Sequence, residues 1–230
     1  MALILNLETA TKVCSVAIGR NGSLLALKEY HGEYSHAEKL TVFVEEVLQE
    51  AGLKINDIDA IAVSKGPGSY TGLRIGVSTA KGFCFALDKP LIAISTLQSM
   101  ANKPALKEGK EGELLCPMID ARRMEVYCAF YDIHNNNQVR AIAAEIIDEH
   151  SFEDILQKHK VIFFGDGAEK CKAVLSMHPN AIFIDNIFPS ATDMIALSES
   201  AFQNKQFEDV AYFEPYYLKD FVTTIPKKKV

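Results

Sequence analysis

Along this chain, short apolar runs alternate with longer stretches in which apolar positions recur every three or four residues. The first kind reads as buried strand and the second as amphipathic helix. Strands are predicted over 3–7, 13–18 and 24–28. Asn21-Gly22 joins the last two as a hairpin turn, because both central positions of such a turn favour positive φ. Ser35-His-Ala-Glu38 has capping-box spacing and opens a helix. That helix sets Leu40, Phe43, Val44, Val47, Leu48 and Ala51 on one face, and Gly52 stops it. A strand over 58–63 leads to a helix over 71–87 with an apolar stripe at Leu73, Val77, Ala80, Cys84 and Leu87. A short strand over 90–94 and a short helix from Ser95 follow.

The charged, glycine-containing stretch 103–112 marks a boundary between residues 1–102 and 103–230. The second half then repeats the order of elements without repeating the sequence. A strand over 114–119 ends at Asp120, as the first ends at Glu8. Strands over 125–132 and 139–147 flank the polar turn His134-Asn-Asn-Asn137. A helix runs from Ser151 to about 158, and a strand over 161–164 enters Gly165-Asp-Gly167 and another helix. A strand over 181–184 and a helix over 192–202 complete the pattern. Alternating strands and helices give mixed α/β sheets covered by helices. The repeat of strand, carboxylate, hairpin, helix, strand and glycine turn predicts two like-folded lobes facing a cleft.

Gly66-Pro67-Gly68 sits at the strand-to-helix turn of the first half. Glycine supplies φ values that other residues avoid, and proline fixes the turn. Ser69 or Thr71 is placed to cap the helix, whose free N–H groups suit a phosphate or carboxylate. The same segment also serves as a plain tight connection. It is not a Walker loop, since no Lys-Ser or Lys-Thr pair follows a glycine at the required spacing. Gly68-Ser-Tyr-Thr-Gly72 is not a nucleophile elbow, which needs its serine midway between the glycines.

Composition narrows the function classes. The 230 residues are 48% hydrophobic and 23% charged, ordinary values for a globular chain. A net charge of −6 argues against a general nucleic-acid binder, which needs clustered Lys and Arg. Cys14, Cys84, Cys116, Cys128 and Cys171 are scattered without a Cys-x-x-Cys pair, so buried reduced thiols and a cytoplasmic setting are expected. The run 2–5 is broken by Asn6 and Glu8, so neither a secretion signal nor a membrane span is expected. The six histidines include no His-x-x-x-His pair. Arg122 and Arg123 beside Asp120 read either as an anion clamp or as surface ion pairs with Asp120 and Glu125.

Several segments in order carry a resemblance. They are Glu8-Thr-Ala-Thr11, Cys14-Ser-Val-Ala17, Ser35-His-Ala-Glu-Lys-Leu40, Gly66-Pro-Gly-Ser-Tyr-Thr-Gly-Leu-Arg-Ile-Gly76, Asp120-Ala-Arg-Arg123 and Glu125-Val-Tyr127. Together they resemble the bacterial TsaB family of the tRNA threonylcarbamoyladenosine system. The glycine segment is shared with the catalytic relative TsaD, while the Asp-Ala-Arg-Arg block and the short length favour TsaB. The resemblance implies the two-lobed actin, sugar kinase and heat-shock-protein ATPase fold, of ribonuclease H-like type. It implies a non-catalytic, cytoplasmic subunit that binds and activates TsaD, works with the ATPase TsaE, meets tRNA only through the complex and pairs with itself when alone.

In that architecture, two acid-bearing strand ends and two glycine turns surround a nucleotide phosphate tail. Here the matching positions are Glu8, Thr9, Gly66, Pro67, Gly68, Ser69, Asp120, Gly165 and Gly167. Glu8 stands where the family usually has aspartate, and its extra methylene moves the carboxylate by about 1.5 Å, enough to upset magnesium geometry. The two metal-binding histidines of TsaD correspond to Thr96 and Met100, neither of which replaces an imidazole. No metal site and no tightly bound cofactor are therefore expected, with ATP or ADP and magnesium confined to the complex interface. The alternative is an independent ATPase or kinase-like enzyme of the same fold. A peptidase finds no Ser/His/Asp or zinc spacing in its support.

Gly72, Gly76 and Ala80 recur every four residues along one helix face. Glycine inside a helix costs about 1 kcal/mol relative to alanine, so close packing is expected there, against the chain's own sheet, a partner helix or both. Ala37, Thr41 and Val42 form a second strip on the preceding helix. The expected partner surface comprises His36, Leu40, Val42, Phe43, Tyr70, Gly72, Leu73, Gly76, Val77 and Ala80. The terminal Lys227, Lys228 and Lys229 are read as solvated.

Overall fold

The computed structural model of the chain describes residues 2–32 and 35–219, so the C-terminal lysines lie outside the described residues. Two five-stranded sheets form its frame. The first contains β1 (Leu3–Glu8), β2 (Val13–Arg20), β3 (Ser23–His31), β4 (Ala60–Gly66) and β5 (Leu91–Ser95). The second contains β6 (Leu114–Asp120), β7 (Glu125–Asp132), β8 (Gln138–Ile146), β9 (Val161–Phe164) and β10 (Ala181–Ile184). Strand order is β3-β2-β1-β4-β5 in one and β10-β9-β6-β7-β8 in the other, the same topology read from opposite ends. In each sheet the first three strands form an antiparallel meander, and the other two run parallel to the first. The repeat of elements read from the sequence is thus a repeat of topology.

Side-chain alternation sorts each sheet between two layers. Leu5, Leu7, Ile61 and Val63 face α1 (His36–Ala51) and α2 (Tyr70–Leu87). Their neighbours Ile4, Ala60 and Ala62 face α6 (Ala191–Gln203) on the other side. On this second face Ala17, Gly19, Ala60 and Ala62 are small where α6 lies close: a methyl on Gly19 would sit 2.7 Å from Ile195 Cγ2. The lobes also exchange helices. α6, late in the chain, packs on the first sheet, while α3 (Thr96–Ala101) packs against β6 and β7 of the second. α5 (Ala168–Leu175) covers the second sheet's opposite face through Ala168, Cys171 and Leu175.

Local chemistry accounts for most element ends. Asn21 and Gly22 both take positive φ, 51° and 75°, in the β2–β3 turn. Ser69 Oγ accepts from Gly72 N–H at 3.3 Å and caps α2, and Ser95 Oγ accepts from Gln98 N–H at 3.4 Å at the start of α3. Two expectations fail. Ser35 makes no side-chain cap on α1; its carbonyl accepts from Glu38 and Lys39 N–H instead. The helix expected from Ser151 shrinks to α4 (Glu153–Leu156). Ser151 Oγ is bound to Asp148, and Phe152 takes a left-handed φ of 66°. That turn drives the Phe152 ring into the core, 5.0 Å from Phe130. Burying an aromatic ring stabilises more than about one extra turn of an exposed helix.

Candidate functional site: the cleft between the lobes

The two strand ends and the α2 turn converge on one cleft, with a volume of about 640 Å³. The first lobe contributes Ala10, Thr11, Lys12 and the segment 67–71. The second contributes Ile119, Asp120, Ala121, Arg122, Tyr127 and Asp166. A third contribution comes from Tyr216, Tyr217, Leu218 and Lys219 of the C-terminal segment.

Of the sequence-derived nucleotide positions, Pro67, Gly68, Ser69 and Asp120 reach this cleft, while Glu8, Thr9, Gly66, Gly165 and Gly167 do not line it. Glu8 is fully buried. Its Oε1 accepts from Ala10 N–H at 2.6 Å and from the Ser64 hydroxyl at 2.9 Å. The same Ser64 oxygen accepts from Thr9 N–H at 3.3 Å. Glu8 therefore pins the β1–β2 turn to the end of β4 and does not line the cleft. Burial pushes its carboxyl up to about 7, against the pull of the Ala10 and Ser64 hydrogen bonds, and nearby Asp193 adds to the rise. Asp193, itself raised by burial to about 6, is held by Lys103 at 2.8 Å.

Asp120 is half exposed, and Lys170 and the Arg122 backbone N–H both bind its Oδ1. Arg122 and Arg123 adopt positive φ, 69° and 47°, in the β6–β7 turn. The ion pairs expected from them are made by lysines instead, Lys170 with Asp120 and Lys219 with Glu125. Asp166, between the second pair of glycines, accepts from Asp120 N–H at 3.1 Å and is raised by burial.

The glycines are explained by chain-to-chain approach. A methyl on Gly68 would run into the Ala10 carbonyl, and one on Gly165 into the Met118 carbonyl. One on Gly167 would lie 2.9 Å from the Ile119 carbonyl carbon. These donors and turns do not fit a magnesium-bound nucleotide. One acid is sealed away, the other is paired with a lysine, and the turns are closed by backbone. Thr96 and Met100 are wholly buried, Met100 in the core between α3 and the second sheet. Among the described residues no group of three His, Cys, Asp or Glu is placed to hold a metal ion. All five cysteines are buried and free, as their scatter implied. No described helix is long and apolar enough to cross a membrane.

The expected partner surface divides in two. Leu40, Leu73, Val77 and Ala80 belong to the chain's own core, each at most 4% exposed. Gly72 and Gly76 admit the β1–β2 turn: a methyl at either would clash with the Thr9 carbonyl or hydroxyl. His36 is buried, bonded to the Thr11 carbonyl at 2.8 Å. Phe43 and Tyr70 are half-buried, and Val42 is 46% exposed. The inward face of α2 is thus internal packing. Its outward side carries Gly82, with nothing within 4 Å of a methyl there, and Phe85, which is 87% exposed.

Residues 31–227 match the family model described as TsaD, tRNA N6-adenosine threonylcarbamoyltransferase. The tRNA threonylcarbamoyladenosine biosynthesis protein TsaB of Escherichia coli is 30% identical over 227 residues, covering 95% of each chain. The Haemophilus influenzae protein of the same name is 31% identical, covering 96% of this chain and 94% of its own. The chain belongs to the TsaB family. YeaZ from Pseudomonas aeruginosa is its structural counterpart at a TM-score of 0.80 and 28% identity, over 95% of this chain and all of that one. An activator of 2-hydroxyisocaproyl-CoA dehydratase from Clostridium difficile, solved with ADPNP, shares the fold alone, at 12% identity and a TM-score of 0.51. The architecture is therefore the two-lobed actin-like ATPase type that the TsaB resemblance implied.

Sequence reading missed the third wall of the cleft. Its signal was the cluster Tyr212-Phe-Glu-Pro-Tyr-Tyr217, which has neither strand nor helix period. Lys12 and Lys170 also went unremarked, and Tyr127 and Asp166 were quoted only within motifs, because only the fold brings them beside Asp120.

Proposed function

We propose that this chain acts as a partner subunit rather than as the catalyst in tRNA threonylcarbamoyladenosine formation, binding and activating a TsaD-type transferase. Membership of the TsaB family supports the pathway. The observation that carries the non-catalytic role is Glu8: the acid at the first strand end is fully buried, holds Ala10 and Ser64 through one oxygen and does not line the cleft. A carboxylate sealed in the core behind the cleft wall, holding the turn to β4, acts as a structural clamp and meets neither metal nor substrate there. Burial of Thr96 and Met100 at the positions of TsaD's histidines agrees with it.

In this reading the chain meets tRNA only within the complex, in the cytoplasm, alongside the ATPase TsaE. ATP or ADP with magnesium, which this chain's own acids and turns do not fit, would be held on the partner's side of the interface. The docking surface is the outward side of α1 and α2, around Ala37, Thr41 and Val42 on one helix and Gly82 and Phe85 on the other. An exposed glycine in a helix interior forgoes about 1 kcal/mol, which a closely approaching helix returns in contacts. The same surface joins two copies of the chain when TsaD is absent.

The test is Val42→Glu. Light scattering is expected to show a loss of self-association, and co-purification a weakened hold on TsaD, with circular dichroism unchanged. A variant that remains a dimer and retains TsaD fully would place the interface elsewhere.

A further inference from the structure

The C-terminal segment 207–219 runs across both lobes. It starts at the edge of the first sheet, where Glu208 pairs with Leu91. Lys81 Nζ on α2 then clamps it, donating to the Ala211 and Phe213 carbonyls at 3.1 Å each. Next it meets the end of β4. The β4–β5 register shifts between Ser64 and Gly66, and within that irregularity the Lys65 carbonyl accepts from Tyr216 N–H at 2.7 Å. Gly66 is shaped around this contact. It takes φ +104°, and a methyl on it would lie 3.0 Å from the Tyr216 carbonyl oxygen. The Tyr217 ring packs on the Tyr70 ring, 4.8 Å between centroids, at the first residue of α2. Lys219 then crosses to the second lobe and pairs with Glu125 on β7.

We propose that this segment is an interlobe strap. It ties the two sheets together across the cleft and stands in the way of any ligand entering between α2 and the β6–β7 turn. The segment is thereby the third wall of the cleft, and whatever enters between α2 and the β6–β7 turn must first displace Tyr216 to Lys219. This inference stands apart from the choice of protein partner.

Hydrogen exchange on the full chain tests it, comparing wild type with Tyr217→Ala/Lys219→Glu. Losing the ring contact and the cross-lobe pair is expected to speed exchange by about two- to tenfold in peptides covering 66–74 and 119–127. Peptides covering 161–164, in the second sheet's core, keep their wild-type rate. Lys219→Glu alone, a change on a half-exposed side chain, gives the same pattern at smaller size. Adding Glu125→Lys to it restores protection on both rims. Unchanged rims in both variants, acceleration confined to the strap, or no rescue by the charge swap would each overturn the proposal.

Discussion

Glu8 and Asp120 hold equivalent places in the two lobes, each closing the first strand of a sheet with the same topology, yet they have opposite fates. Glu8 is sealed under the β1–β2 turn and works as a hydrogen-bond clamp. Asp120 stays at the cleft wall, half exposed and shared between Lys170 and the backbone of its own turn. Both carboxylates accept from the N–H two residues along, Ala10 and Arg122; they differ in the second donor, a buried Ser64 hydroxyl for Glu8 and the Lys170 ammonium at the cleft for Asp120. Position in the fold does not assign chemistry; the donors within reach of each carboxylate do.

The largest expected effect follows directly from that contrast. Glu8→Ala strands the Ala10 N–H and the Ser64 hydroxyl in the core, at about 1–3 kcal/mol for each unsatisfied group. Asp120→Ala removes an exposed ion pair, worth about 0–1 kcal/mol, and a solvent-exposed turn hydrogen bond whose Arg122 N–H water can satisfy. Urea denaturation of the two variants should separate them clearly, and equal losses would erase the distinction.

A pH series sharpens it. The Glu8 carboxyl titrates near 7 when folded, against an ordinary value of 4.5. A raised folded value means stability that is fully present below pH 4.5 and lost as pH rises through 7. Glu8→Gln keeps the shape without the charge, so it should gain on wild type between pH 5 and 8, by up to the order of 3 kcal/mol. Asp193, raised to about 6 but held by Lys103, adds a smaller slope of the same sign in both proteins. Thermal melts at three pH values check this, and a constant difference across them would contradict a buried, titrating Glu8. At the small end lies Gly82→Ala. With open space at that position, it should stabilise the free chain by roughly 0.4–1 kcal/mol, while alanine at Gly72 meets the Thr9 carbonyl and destabilises.

Much of the frame was legible in the sequence, because period-2 and period-3.6 patterns report burial directly. The ten strands, the Asn21-Gly22 hairpin and the Ser69 cap all follow from local chemistry. What escaped depended on distant contacts. Ser35-His-Ala-Glu38 has the spacing of a capping box but no cap bond, and Phe152 abandons a helix for the core. Gly72 and Gly76 signalled close approach correctly, but their neighbour proved to be Thr9 of the same chain. The strap was illegible because its partners, Lys65, Tyr70, Lys81 and Glu125, lie 94 to 151 residues away in the chain.

The most direct measurement of the central claim is reconstituted tRNA modification with purified TsaD, TsaE, threonylcarbamoyl-adenylate and this chain, as wild type or Glu8→Gln. The account predicts no modification and no ATP hydrolysis by the chain alone, and modification with the partners whether residue 8 is Glu or Gln. Robust turnover by the isolated chain, abolished by Glu8→Gln, would contradict it.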